Sequence, residues 1–194
     1  MKDRVRNAFL VLALSIGFPT GSTAFAMDAD QRSASGTAQL SAGEIERRRT
    51  KLRTQSAGAS ASRLRADVIE LAKLAKAHVA DVGPSQAVRD FADREWTRLA
   101  NGLHLWGVTM TGESWFDMGH PELVGTNASA MSDIEGRYWA RLARESAEGT
   151  GKAVFSLVFP HPRTRQSATG YHTCFLMPDR IRILCAGAFE DKNG

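Results

Sequence analysis

Three stretches decide the fold: AVFSLVF at Ala153 to Phe159, TGYHTCFLM at Thr169 to Met177, and RIRILCAGAF at Arg180 to Phe189. Each is short and rich in β-branched and aromatic residues, and only PHPRTRQSA and Pro178-Asp179 separate them, so they read as strands of an antiparallel meander. Working back toward the N-terminus, Gly149 and Gly151 close a helix. Its expected start is a capping box of Ser132 and Glu135, and its buried stripe is Ile134, Tyr138, Trp139, Leu142 and Ala143. Arg137, Arg141, Arg144 and Glu145 form its polar face and read as solvated. Before it lies GHPELVGTN, Gly119 to Asn127, a loop in which Gly125 suits a positive φ. LHLWGVTM (Leu103 to Met110) and ESWFDM (Glu113 to Met118) alternate with period two around Thr111-Gly112 and predict a hairpin. The sum is an α+β domain with a five-stranded antiparallel sheet flanked by helices.

Further upstream the period becomes helical. Leu64, Val68, Leu71, Ala75 and Val79, widened by Ala72 and Leu74, mark an amphipathic helix that ends at Gly83-Pro84. A second helix is expected from Ser85 to Asn101-Gly102, with Val88, Phe91, Ala92, Trp96 and Leu99 inward. Ser41 and Glu44 form another capping box, but EIERRRTKLR carries almost no apolar stripe, which predicts a solvated or frayed helix. SAGASAS, Ser56 to Ser62, is a weak point.

The first 26 residues form a separate unit. Lys2, Arg4 and Arg6 make a basic head, Ala8 to Phe18 an apolar run, and Ala24-Phe25-Ala26 a cleavage signal, which predicts a signal peptide and a periplasmic or secreted product. Residues 27–43 are small and polar and read as a flexible leader. The domain proper is expected at 44–190, with N-terminal helices over 44–101 and the sheet and pocket region over 102–190. About half of the formal +4 charge leaves with the signal, and no basic groove carries interleaved aromatics, so nucleic acid is excluded as a partner. Cys174 and Cys185 would meet an oxidising compartment. A tight turn at Pro178-Asp179 puts them on one hairpin face, diagonally placed. Both a disulfide and two buried thiols suit that arrangement.

The ordered motifs from residue 111 onward resemble a single Cache domain, an extracytoplasmic ligand-sensing module with a PAS-like sheet. The resemblance is carried by Thr111-Gly112, Pro121-Glu122-Leu123-Val124-Gly125-Thr126-Asn127, Asp133-Ile134-Glu135-Gly136, Phe159-Pro160-His161-Pro162, Tyr171 and Gly187-Ala188-Phe189, and it spans about residues 64–189. It departs from the family pattern where Phe159 replaces a tryptophan, Ala168 a lysine, His104 a tyrosine and Asp117 a histidine. His120 stands just before Pro121. These are pocket-shaping positions, so the family's common preference for small carboxylates does not transfer.

The resemblance implies a pocket over the sheet. On β-strand parity His104 and Trp106 share its inward face; Asp117 and Tyr171 would orient a small polar ligand, and Phe159 would help wall it. The blander reading makes Trp106 and Tyr171 core aromatics and Asp117 a loop cap. His120, His161 and His172 with Cys174 offer a weak metal alternative without recognised ligand spacing, so no metal and no cofactor are expected. Asp117 and His120 lack a nucleophile, and no catalytic or phosphate-loop motif occurs, so no enzyme activity is expected. Asn127-Ala128-Ser129 is a glycosylation sequon by pattern and reads as part of the loop.

Three functions remain: a periplasmic ligand-binding sensory protein that presents its state to a membrane-bound signalling partner, a pocketless interaction module of the same fold, and a periplasmic metal- or redox-linked protein. By resemblance, the N-terminal helices would also form a homodimer.

Overall fold

A computed structural model describes residues 39–54, 60–97, 99–161 and 164–190. The expected signal peptide, most of the leader and most of the Ser56–Ser62 break lie outside the described residues.

Helix α1, Ala42–Arg53, starts where the capping box places it, with Ser41 Oγ accepting the Glu44 N–H over 3.2 Å. It is not a solvated helix. Ile45, Arg49 and Leu52 are all buried at four- and three-residue steps, and the Arg49 guanidinium lies 4.8 Å from the Trp96 ring centre. The missing apolar stripe is completed by an arginine whose methylene stem packs while its head pairs with Glu46 and Glu95.

Helix α2, Ala61–Val82, buries Leu64, Val68, Leu71, Leu74 and Val79, and Gly83 ends it at φ 80°. The single helix expected next is two pieces, α3 (Pro84–Phe91) and α4 (Arg94–Thr97), followed by a 3-10 turn at Ala100–Gly102. The break at Ala92-Asp93 lets Phe91 and Trp96 meet edge to face at 4.9 Å beneath α2. Packing of those two rings outweighs continuous helix propensity.

The sheet holds β1 (His104–Thr109), β2 (Ser114–Asp117), β3 (Lys152–Pro160), β4 (Ser167–Leu176) and β5 (Arg182–Phe189) in the order β2-β1-β5-β4-β3. Every pairing is antiparallel, as the sequence predicts. Alternation gives it two buried faces. Leu105, Phe116, Tyr171, Leu184, Ala186 and Ala188 pack with the α1–α4 helices. Trp106, Val108, Ala153, Leu157, Cys174, Ile183 and Cys185 pack under α5, Trp139–Thr150, through Trp139, Ala140, Ala143 and Ala147.

Helix α5 begins seven residues later than its expected capping box. The Asp133 carboxylate accepts the N–H groups of Glu135 and Arg137 and, across to β3, that of Val158, while Gly136 sits at φ 78°. These bonds hold 133–138 as a loop. Ile134 and Tyr138 are therefore exposed rather than buried, and Arg137 pairs with Asp133 instead of facing solvent alone.

The β4–β5 connection is longer than Pro178-Asp179. Met177 N–H donates to Arg182 C=O, and the register places Cys174 directly opposite Cys185. The diagonal placement is corrected, and the two form a disulfide with an S–S distance of 2.07 Å. No described helix is long and apolar enough to cross a membrane.

Candidate functional site

The α5-facing side of the sheet carries a cluster of rings, and strand register builds it. One row crosses four strands: His104 lies opposite Gly187, Gly187 opposite His172, and His172 opposite Phe155. The adjacent row runs from Trp106 through Cys185 and Cys174 to Ala153, and the row on the other side places Phe189 against Gly170.

Glycine at 187 is a packing requirement. A Cβ there would lie 2.6 Å from His172 Nδ1 and 3.0 Å from His104 Nε2. Without it the two imidazoles lean over the strand, their centres 6.3 Å apart. Phe155 stacks on His172 at 5.6 Å and 23°, while Trp106 and Phe189 meet His172 edge to face. Trp139 of α5 closes over Trp106 at 5.1 Å, and His104 stacks on Phe189 at 5.9 Å.

Hydrogen bonds assign the protons. Trp106 Nε1–H donates to His172 Nδ1 over 3.2 Å, so the neutral His172 ring carries its own proton on Nε2. His172 is 4% exposed, and Nε2 has no hydrogen-bond partner among the described residues. His104 Nδ1 lies 3.0 Å from the Gly102 carbonyl, which can only accept, and this leaves His104 Nε2 as an acceptor. Burial pushes the His172 imidazole down to about 3, with His104 adding to the effect. Burial also lowers His104, against opposing pulls from the Gly102 carbonyl bond and then from Asp117.

Of the five residues expected to line the pocket, four share this face. His104 and Trp106 stand on β1, Asp117 pairs with Trp106 from β2, and Phe159 packs edge to face on Phe189 at 6.5 Å. Asp117 Oδ1 also accepts the N–H groups of Gly119 and His120, so it anchors the loop that follows. Tyr171 points the other way. Its hydroxyl bonds Glu190 and lies 3.2 Å from an Arg65 nitrogen, and the Arg65 guanidinium lies 4.4 Å from its ring centre, beneath α2.

The metal alternative is not assembled. Cys174 is disulfide-bonded, His120 pairs with exposed Glu122, and His161 packs on Phe189. A separate recess of about 390 Å3, lined by Lys76, Lys152, Phe175 and Arg180, holds none of the expected site residues.

No family model matches the chain, and no curated protein matches it. Solved structures do. A periplasmic sensor domain of a chemotaxis protein aligns at TM-score 0.51 and 14% identity, covering 76% of this chain and 98% of that one. A Cache chemosensory domain described for carboxylic acid recognition aligns at TM-score 0.50 and 13% identity, covering 78% and 100%. The chain has the Cache fold. A methyl-accepting chemotaxis protein from Vibrio parahaemolyticus RIMD 2210633 aligns at TM-score 0.52 and 16% identity, covering 76% and 97%. At such identities the Cache likeness fixes the fold and leaves the ligand open.

The sequence offers His172 only as a metal ligand, Trp139 as a core residue of the helix and Gly187 as part of the Gly187-Ala188-Phe189 motif, and it does not single out Phe155. The cysteines held the missing signal. Once Cys174 faces Cys185, residue 172 must stand two places along the same face, opposite residue 187.

Proposed function

We propose that this chain is an exported Cache-fold sensory domain that binds a small molecule at the His172 face and presents its bound state to a membrane-bound signalling partner. The single observation that carries the reading is that His104, Trp106, Asp117 and Phe159 share one ring-rich face of a sheet whose fold is that of chemosensory domains. The N-terminal signature and the disulfide support export. The chemotaxis sensors that share the fold support the signalling role.

The test is a thermal-shift screen of purified protein against amino acids, amines, short carboxylates and purines. A dose-dependent rise that disappears in His172→Phe supports the reading. A flat screen favours the pocketless interaction module, for which exposed Val154 on edge strand β3 is the first surface to alter. Export is tested by fractionating cells that express the full chain and sequencing the mature N-terminus. Dimerisation through the N-terminal helices is tested by light scattering.

A further inference from the structure

We propose that the recess at the turn between β4 and β5 binds a small, multiply charged oxyanion, held by Lys76, Lys152 and Arg180. The inference goes beyond the sensory reading and does not depend on a ligand at the ring face.

The recess has a volume of about 390 Å3, within the range of roughly 300–1,000 Å3 found for small-molecule sites. Its aromatic wall is Phe175, which has the opposite strand parity to His172 and packs with the α1–α4 side of the sheet. Three cations reach it from three elements: Lys76 from α2, Lys152 from the start of β3 and Arg180 from the turn. They are far apart in the chain, so the fold gathers them and no basic run does.

Lys76 Nζ lies 4.9 Å and Lys152 Nζ 5.9 Å from the same Phe175 ring centre, so one ring seats two like charges. Nothing on the protein neutralises them. Among the described residues, none of the three cations makes an ion pair and no residue lining the recess is acidic. Asp179, next to Arg180, is committed elsewhere: it accepts the N–H groups of Ile181 and Arg182 and pairs with the Arg182 guanidinium at 2.6 Å.

The carbonyls that end α5 beside the recess are occupied as well. Ala147 C=O accepts from Gly151 N–H, Ser146 C=O from Thr150 Oγ1, and Gly151 C=O from Leu176 N–H. The cations are therefore left for a counter-charge from outside the chain. A dianion or trianion relieves the repulsion among all three, whereas a single carboxylate answers one. The Arg180 guanidinium presents the forked donors that match the paired oxygens of a phosphate or carboxylate.

The experiment is calorimetry on the purified full chain near neutral pH, with citrate, inorganic phosphate and acetate as probes. Salt at about 0.15 M screens charges more than about 8 Å apart and removes general attraction. Citrate or phosphate should saturate the site, with acetate at least tenfold weaker. Lys76→Gln with Arg180→Gln should weaken the tighter probe tenfold or more. Lys73→Gln, an equal charge change on an exposed position of α2 outside the recess, should change it less than twofold. Lys76 and Arg180 are themselves exposed, and an unchanged thermal midpoint of the ligand-free variant confirms its fold. Acetate binding as tightly as citrate overturns the multiply charged class. Binding that survives the double substitution, or that falls equally in Lys73→Gln, overturns the site. Vesicles of phosphatidylcholine with phosphatidic acid test a lipid headgroup as the source of phosphate. Capture by those vesicles without binding of citrate or phosphate overturns the small-molecule assignment, and no binding by any probe overturns the proposal.

Discussion

Trp106 and His172 are joined across a strand that lies between them. Trp106 stands on β1 and His172 on β4, and their 3.2 Å bond passes over Gly187 of β5. It couples two strands that share no backbone ladder.

Trp106→Phe removes the donor and leaves His172 Nδ1 buried and unpaired. The expected loss in urea unfolding is about 1–3 kcal/mol. Trp106→Phe with His172→Phe should lose less than the two single changes together, because neither unpaired group remains. Strict additivity would show that the bond contributes nothing.

Gly187→Ala drives a methyl to within 2.6 Å of His172 Nδ1, so a ring must shift and the Trp106 bond must lengthen. Overpacking of this kind costs about 1–3 kcal/mol. Gly149→Ala is the control. It lies in α5 with open space around the new Cβ, and should stabilise by about 0.5 kcal/mol in the same assay.

His172 makes stability depend on pH. Its folded value of about 3 lies below the ordinary 6.5, so only the unfolded chain gains this proton as pH falls through 6.5. The contribution is complete above that value and is lost on acidification. Between pH 7.5 and 5 the loss should be about 2 kcal/mol, and His104, also lowered, acts in the same direction. His172→Phe should flatten the slope in this window, and an unchanged slope would remove His172 as its source.

Reduction of Cys174–Cys185 releases a short loop, since the cysteines are 11 positions apart. The chain-entropy model gives about 2–3 kcal/mol for such a closure. Urea midpoints with and without reductant measure it, and a Cys174→Ala/Cys185→Ala variant should match the reduced protein.

Tyr171→Phe separates stability from ligand binding. It removes the hydroxyl that meets Arg65 and Glu190 on the helix side, for an expected cost of about 1 kcal/mol. Affinity for any ligand held at His172 should be unchanged. A specific loss of affinity would place Tyr171 at the site after all.

The sequence alone determined whatever depends on local periodicity. The Leu64 to Val79 stripe, the Ser41 cap and the period-two runs from His104 to Phe189 each state their element within a few residues, because side-chain spacing and capping are local physics. Parity also put His104 and Trp106 on one face, and resemblance grouped Asp117, Phe159 and Tyr171 with them, although Tyr171 lies on the opposite face. Tertiary structure decided the rest. Pairing β1 with β5 brings His104 to Gly187, a contact between distant residues that no local pattern encodes. The β4–β5 register turned a diagonal cysteine pair into a direct one, and strand parity then sent Tyr171 to α2 and His172 to the rings. Asp133 halted a helix its own neighbourhood favoured, because its carboxylate found the Val158 N–H on a strand 25 positions away. Burial made an ordinary histidine neutral and left its proton facing inward, and burial belongs to the assembled fold rather than to any stretch of chain.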